Sequence, residues 1–396
     1  SIYRVVLLLM FFPTLYLFVR GDAGRLRLPD LCVIGICLWS TLSISVVHGF
    51  AEMIETIGIL WVETLGAYLV GRCFIRTLEQ FHATVRMLFW LGVAILPFAL
   101  LENLTDRNMI LEFFDRIGGV YPNVPHEQRL GFERAQGPFA HQIHLGVFFC
   151  ASIGLVYYVL GYGRPRLVRT LRAGLVAFLG ATSLSAGPLV AMMAQLGLLI
   201  WDGMMKGVRQ RWYIFAGLAA SGFVVVDLLS NRTPFHVVVS YLAFNSSTAY
   251  NRILIWQYGT QSILDNPLFG IGFNEWDNPS WMSDSVDMFW ILGGMRHGLL
   301  VSLLFIAFFS SAFLSVAYRK GLSDRVNWYR TGYLITLMGL FLAGWTVHYW
   351  DALLVYFMFL MGAGIWILDH EESLEEAGTA LPSRGCRKIR FSRFSA

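Results

Sequence analysis

Continuous apolar runs, separated by short polar or basic connections, dominate the chain from Ile2 to Leu368. Crossing a hydrocarbon core takes a predominantly apolar stretch of about 17–25 residues. On that requirement the sequence predicts helices near 2–19, 31–48, 54–71, 87–101, 139–160, 167–184, 187–204, 212–230, 288–318, 331–347 and 351–368. The runs are unbroken, as within Gly332–Thr346, and do not alternate with a period of two, so helices and not barrel strands are expected. The expected fold is an all-α polytopic membrane protein of about 11 transmembrane helices, one membrane domain over 1–368 with a cytoplasmic tail at 369–396. The first run lacks a small-residue cleavage site and reads as a retained helix. Because the chain starts at Ser1 and not at a methionine, a twelfth helix upstream fits the same pattern.

Basic residues fall in alternate connections. Arg20, Arg25 and Arg27 form the first group, Arg72, Arg76 and Arg86 the second, and Arg164, Arg166, Arg169 and Arg172 the third. Lys206, Arg209 and Arg211, then Arg319, Lys320, Arg325 and Arg330, and finally Arg384, Arg387, Lys388 and Arg390 continue the series. The positive-inside rule assigns these segments to the cytoplasm and the N-terminus to the outside. One missed or extra helix would have put basic loops on both sides. Two long connections, 102–138 and 231–287, then lie on the outer face. They carry Phe113, Phe114, Tyr121, Phe132, Tyr241, Phe244, Trp256, Tyr258, Phe273, Trp276 and Trp281, a composition that packs, so a folded cap is expected there. Within the second, Tyr250–Leu264 spaces Ile253, Trp256, Gln257, Thr260 and Leu264 as an amphipathic interfacial helix ending before Asn266-Pro267.

Composition agrees with lipid as the solvent: 56% of the 396 residues are hydrophobic and 14% charged, against about 25% charged in soluble domains. The net charge of +4 argues against a nucleic-acid partner. Five cysteines show neither a disulfide framework nor zinc spacing. Phosphate-loop, zinc-protease and serine-hydrolase motifs are absent. Ionisable and aromatic residues gather instead on the outer loops: Arg129, Glu133, Arg134, His141, His144, Arg252, Glu275, Trp276, Asp277, Trp281, Asp284, Asp287, Arg296 and His297. Guanidiniums give phosphate a bidentate fork of donors, and indoles stack on sugar faces. One guanidinium 4 Å from a phosphate at a partly dry boundary is worth about 4 kcal/mol at an effective dielectric of 20. The combination suits a phosphorylated sugar.

Three segments in order carry a family resemblance. Asn251-Arg252-Ile253-Leu254-Ile255-Trp256 followed by Asn266-Pro267-Leu268-Phe269-Gly270-Ile271-Gly272 resembles the signature of bacterial O-antigen polymerases and ligases. Arg134-Ala135-Gln136-Gly137-Pro138-Phe139 is similar to that family's Arg-x-x-Gly-x-Phe segment. Thr182-Ser183-Leu184-Ser185-Ala186-Gly187-Pro188 is similar to its Thr-x-Ser-Arg-Gly turn with the arginine replaced.

The resemblance implies a metal-independent membrane glycosyltransferase of the GT-C type in the bacterial inner membrane, with a periplasmic active site and undecaprenyl-diphosphate-linked oligosaccharide as donor and acceptor. It implies two arginines on the diphosphate. Arg252 matches one, and Arg134, with Arg129 as its rival, the other. Ligases of the family carry a His-Asn-type motif before a late helix, whereas here Ser283-Asp284-Ser285-Val286-Asp287 stands in that place. That departure favours a polysaccharide polymerase of exopolysaccharide or O-antigen synthesis, with Asp287 or Asp284 as the base. Arg129, His141, His144, Trp276, Trp281, Glu275, Asp277, Arg296 and His297 are the expected substrate contacts. A chain-length regulator and membrane lipids are the further expected partners.

Plainer roles fit the same residues. Arg252 could snorkel to headgroups, Arg134 could pair with Glu127 or Glu133, and Asp287 could cap a helix. Glu275 and Asp277 could hold a cation or face water, and the two histidines could be structural. Glu63, Asp227, His348 and Asp351, at membrane depth or its edge, are further ionisable candidates. Competing functions are a ligase moving glycan to lipid A core or protein and, in another class, a lipid-linked oligosaccharide flippase. A flippase usually shows internal repeats and a site near the midplane, and neither is visible here.

Overall fold

The computed structural model describes residues 2–118, 121–124, 128–229 and 246–370. In chain order its helices are α1 (Ile2–Val19), α2 (Leu28–His48), α3 (Ile54–Phe74), α4 (Leu78–Thr105), α5 (Met109–Asp115), α6 (Gln142–Val159) and α7 (Arg166–Ala181). There follow α8 (Ala186–Met204), α9 (Arg211–Leu229), α10 (Ser246–Asp265), α11 (Phe289–His297), α12 (Leu299–Tyr318), α13 (Asp324–Ala343) and α14 (Asp351–Asp369). Among the described residues there is no strand beyond an isolated bridge between Arg129 and Phe132. Tyr241, Phe244 and the charged tail from residue 371 lie outside the described residues.

Among the described residues nine helices are long and apolar enough to cross a membrane: α1, α2, α3, α4, α6, α8, α9, α12 and α14. This makes the chain a helical membrane protein. Two other expected spans are helical but fall short of that measure. One is α7, with 16 residues and arginines at 166, 169 and 172, and the other is α13, which opens Asp324-Arg325 and carries Arg330. The expected helix 288–318 is two helices. Gly298 breaks it at φ +87°, where a Cβ would lie 2.2 Å from the Leu268 carbonyl oxygen. Continuous apolarity concealed a backbone break imposed by the turn that packs on it.

The bundle is held by close helix contacts, α3 on α14, α2 on α12, and α13 on α6 and α8. Gly71 and Gly362 let α3 and α14 touch backbone to backbone, since a Cβ at either would lie 2.2 Å from a carbonyl oxygen of the other helix. The basic connections meet at one end. There Arg27 pairs with Asp369 at 2.6 Å, Arg319 donates to the His370 carbonyl at 3.3 Å, and Arg325 approaches Glu79 at 3.9 Å. At the other end the connections around residues 49, 103–108, 128–137, 182–188, 266–289 and 344–350 contact one another.

The interfacial helix is present as α10, with a different buried stripe. Arg252, Ile255, Gly259, Ser262 and Ile263 face inward, whereas Gln257 and Leu264 are exposed. The reason is α11: its Ile291 and Met295 pack on Gly259, where a Cβ would lie 2.9 Å from Ile291. Glu63, in a π turn of α3, accepts Arg4 Nε at 2.6 Å and the Tyr3 hydroxyl at 2.8 Å. Arg4 also reaches Asp351 at 2.7 Å, so these two carboxylates tie α1 to the bundle.

Candidate functional site

The three segments that carry the resemblance, far apart in sequence, meet at the end away from the basic connections. Glu102 and Asn103, in the last turn of α4, are the joint. Glu102 is buried, and its two carboxylate oxygens accept the backbone N–H groups of Gln136 and Gly137, each at 2.9 Å, and Asn108 Nδ2 at 3.0 Å. Asn103 Nδ2 donates to the Glu133 carbonyl at 2.5 Å and the Thr182 carbonyl at 2.9 Å, and Ala135 N–H donates to Thr182 at 3.1 Å. The arginine-bearing loop and the Thr182–Pro188 turn are thereby held as one unit. Neither Glu102 nor Asn103 stands out in the sequence. Their one signal is a Glu-Asn pair ending an apolar run.

Arg134 and Arg129 grip that turn. Arg134 donates to Ser185 Oγ at 2.7 Å and to the Ser183 carbonyl at 3.3 Å, and Arg129 to the Leu184 carbonyl at 2.8 Å. Leu184 sits in the left-handed region at φ +46°, uncommon for a residue with a Cβ. Past the turn, Gly187 abuts Thr346, and the Thr346 carbonyl accepts Arg252 at 3.2 Å. Arg134 and Arg252 are each only 9% exposed. Burial, and then the neighbouring Arg129 charge, brings the Arg134 guanidinium down to about 10, so it stays protonated at neutral pH. Burial likewise lowers Arg252, with Asp287 opposing the shift and Arg129 adding to it. Arg252 Nε is buried without a hydrogen-bond partner. Arg129 thus lies within electrostatic reach of both Arg134 and Arg252, Asp287 lies within reach of Arg252, and Arg129 and Arg252 donate to backbone carbonyls, which leave their positive charge in place. An added anion would offset that charge.

Asp287 is half-buried and accepts Ser285 Oγ at 2.9 Å, just before α11. Asp284 is exposed and accepts Asn278 Nδ2 at 3.3 Å. A cavity of about 330 Å³ lies alongside, lined by Glu275, Trp276, Asp284, Arg296 and His348 among others. Trp276 is 8% exposed and packs with Met282 and Met288, its indole donating to the Asp284 carbonyl at 3.1 Å, so it shapes the loop as well as the cavity. Arg296 stacks over Phe273 at 5.0 Å. Burial and the Arg296 charge hold His348 down to about 3, a neutral imidazole at the cavity wall. His348 leads by ring contacts to Trp350, which meets His144 at 3.9 Å and His141 at 6.0 Å. His141 also caps α6 by accepting Ile143 N–H at 3.1 Å.

Other sequence candidates stand apart from these groups. Asp277 and Trp281 are exposed, and His297 is buried, with Ser43 Oγ at 3.5 Å on α2. Among the described residues no three His, Cys, Asp or Glu side chains gather closely enough to hold a metal ion. Glu127, one expected partner of Arg134, lies outside the described residues.

The Asn266–Gly272 turn is a clamp made of backbone. Ile271 and Gly272 N–H groups donate to the Met295 and Arg296 carbonyls at 2.8 and 3.0 Å, Leu299 N–H donates to Pro267 at 2.8 Å, and Ser43 Oγ donates to the Phe269 carbonyl at 2.6 Å. It sets α11, and with it Arg296 and the cavity wall. No protein-family model matches the chain, and no curated protein matches it.

Proposed function

We propose that the protein is a membrane glycosyltransferase that polymerises polysaccharide repeat units on the periplasmic face of a bacterial inner membrane. In this reading α7 and α13 complete eleven crossings, and the loop-rich end is the periplasmic cap. The observation that carries it is that the three segments resembling the O-antigen polymerase and ligase family lie at one end, where Arg134 and Arg129 grip the Thr182–Pro188 turn and Arg252 lies within electrostatic reach of Arg129 and Asp287.

The chemistry follows from the groups. The sugar–diphosphate bond is already activated, so the protein must position an acceptor hydroxyl, take its proton and hold the leaving group. Asp287 accepts the proton as the hydroxyl oxygen of the incoming lipid-linked unit bonds to the anomeric carbon of the growing glycan. The anomeric carbon–oxygen bond to undecaprenyl diphosphate breaks. The released diphosphate is met by the guanidiniums of Arg252, Arg134 and Arg129. The cavity beside Asp284 takes the acceptor sugar, with Arg296, Glu275 and Trp276 on its walls. No metal is required.

Purified protein supplied with lipid-linked repeat units extracted from the producing cells should yield a product ladder that survives EDTA. Arg252→Ala should abolish the ladder, and Asp287→Ala should lower its rate by about 10²–10⁴-fold. A single transfer to lipid A core in place of a ladder would favour a ligase. Lipid translocation across liposomes without new glycosidic bonds would favour a flippase.

A further inference from the structure

At the basic end, four guanidiniums, Arg86, Arg164, Arg172 and Arg325, line a cavity of about 500 Å³ with His82. It lies between α4, the α6–α7 connection, α7 and the start of α13, and no carboxylate is among its lining residues. Two acids touch its lining from outside: Glu79, 3.9 Å from Arg325 with its side chain 72% exposed, a weak solvent-screened pair, and Asp324, which accepts the Tyr162 hydroxyl at 3.4 Å. The adjoining cavity of about 450 Å³ is also basic, but Asp202 and Asp324 line it, and Asp202 holds Arg211 at 2.6 Å. Both cavities are cationic, but carboxylates line only the adjoining one, and the wall of the first holds guanidiniums and no acid.

The first cavity is also preorganised. Arg172 donates to the Leu160 carbonyl at 2.8 Å, and Arg325 lies over Tyr329 while donating to its hydroxyl at 3.2 Å. His82 stacks on Tyr329 at 6.3 Å between ring centroids. Two arginines are thus fixed in orientation, and Arg86 and Arg164 remain exposed at the mouth. Trp90, 60% exposed on the spanning helix α4, lines the same cavity, so one wall meets lipid at the depth where indoles settle.

We propose that this cavity binds a phosphate group, carried by an anionic phospholipid of the adjoining leaflet or by a soluble phosphate ester. Planar guanidiniums match phosphate oxygens bidentately, and basic pockets between helices at a membrane surface concentrate such headgroups. The site is independent of the glycosyltransferase reading, since it uses none of the same residues.

The test is native mass spectrometry and thermal melting of delipidated protein with phosphatidylglycerol, phosphatidylcholine or inorganic phosphate. Phosphatidylglycerol should bind and stabilise where phosphatidylcholine does not. Arg86→Gln/Arg164→Gln, at two exposed positions, should weaken that binding about 10–30-fold, whereas Arg209→Gln in the adjoining cavity should not. Stabilisation by inorganic phosphate with the same dependence on Arg86 and Arg164, and none by phosphatidylglycerol, assigns the soluble source. Binding of neither anion, or binding unchanged in the double variant while Arg86→Lys/Arg164→Lys also behaves as wild type, overturns the proposal.

Discussion

Arg72 and Arg252 are both buried arginines, one at each end of the bundle, and their surroundings differ in kind. Arg72, 2% exposed, faces Asp30 at 3.3 Å and Asp369 at 3.4 Å and donates to the carbonyls of Ala23 and Arg25. Tyr68 completes the network by donating to Asp30 at 2.5 Å. Arg252, 9% exposed, has one carbonyl partner, a buried Nε without any, and feels Asp287 and Arg129 only at a distance. Burial alone does not separate a structural charge from a working one. The count and charge of the partners does: a guanidinium answered by carboxylates locks helices together, and one answered by carbonyls retains the capacity to hold an anion.

The largest effect should come from removing one side of the compensated pair. Arg72→Met leaves Asp30 charged and buried, and a loss of about 3–5 kcal/mol is expected, seen as failure to recover monodisperse protein or a collapsed melting temperature. Arg252→Met should leave stability within about 1 kcal/mol of wild type while abolishing glycan elongation. Equal destabilisation by the two substitutions would remove the distinction.

A smaller effect tests whether the resemblance motif is scaffold or chemistry. Gly298 and Gly49 share φ +87°, but only at Gly298 would a Cβ strike the Leu268 carbonyl of the turn. Gly49→Ala should cost about 1 kcal/mol, the price of the backbone conformation alone. Gly298→Ala should cost more, about 2–3 kcal/mol, and should also slow elongation by displacing α11. Thermal melts of the two variants side by side would settle it, and identical losses would show that the turn yields freely.

The smallest expected effect is the pH dependence of His348. Its ordinary value near 6.5 is held down to about 3, so between these limits the unfolded chain takes up a proton that the folded chain refuses. The contribution is fully present above about pH 6.5 and is lost as pH falls toward 3, at up to about 1 kcal/mol per unit, less what solvent screens. Melting curves at pH 7 and pH 5 should show a smaller loss for His348→Gln than for wild type. Parallel losses would mean that His348 titrates as if exposed.

Much of the architecture is visible in the apolar runs. They place every helix that is long enough to cross, they find α10 before Asn266-Pro267, and they separate basic connections from aromatic ones. The errors have particular causes. The split at Gly298 is invisible because both sides are apolar and only the packed turn forbids a continuous helix. The buried stripe of α10 is displaced because α11 selects Arg252, Ile255 and Gly259, residues whose spacing is as helical as that of the stripe expected. Candidate site residues were legible as types but not as groups. Arg129 and Arg134 grip one turn, Arg252 lies within reach of Arg129 and Asp287, Glu275 and Asp284 share a cavity with His348, and His297 turns to α2.

By itself, then, the sequence determined that this chain is a bundle of membrane helices with charge segregated between its ends. Hydrophobic burial is non-directional and roughly additive along the chain, so composition and run length suffice to predict it. Which polar groups meet was decided only by the tertiary structure. Glu102 joining two distant loops, Arg72 pairing with two carboxylates and Arg252 reaching a backbone carbonyl depend on directional hydrogen bonds and close approach, which no one-dimensional spacing encodes.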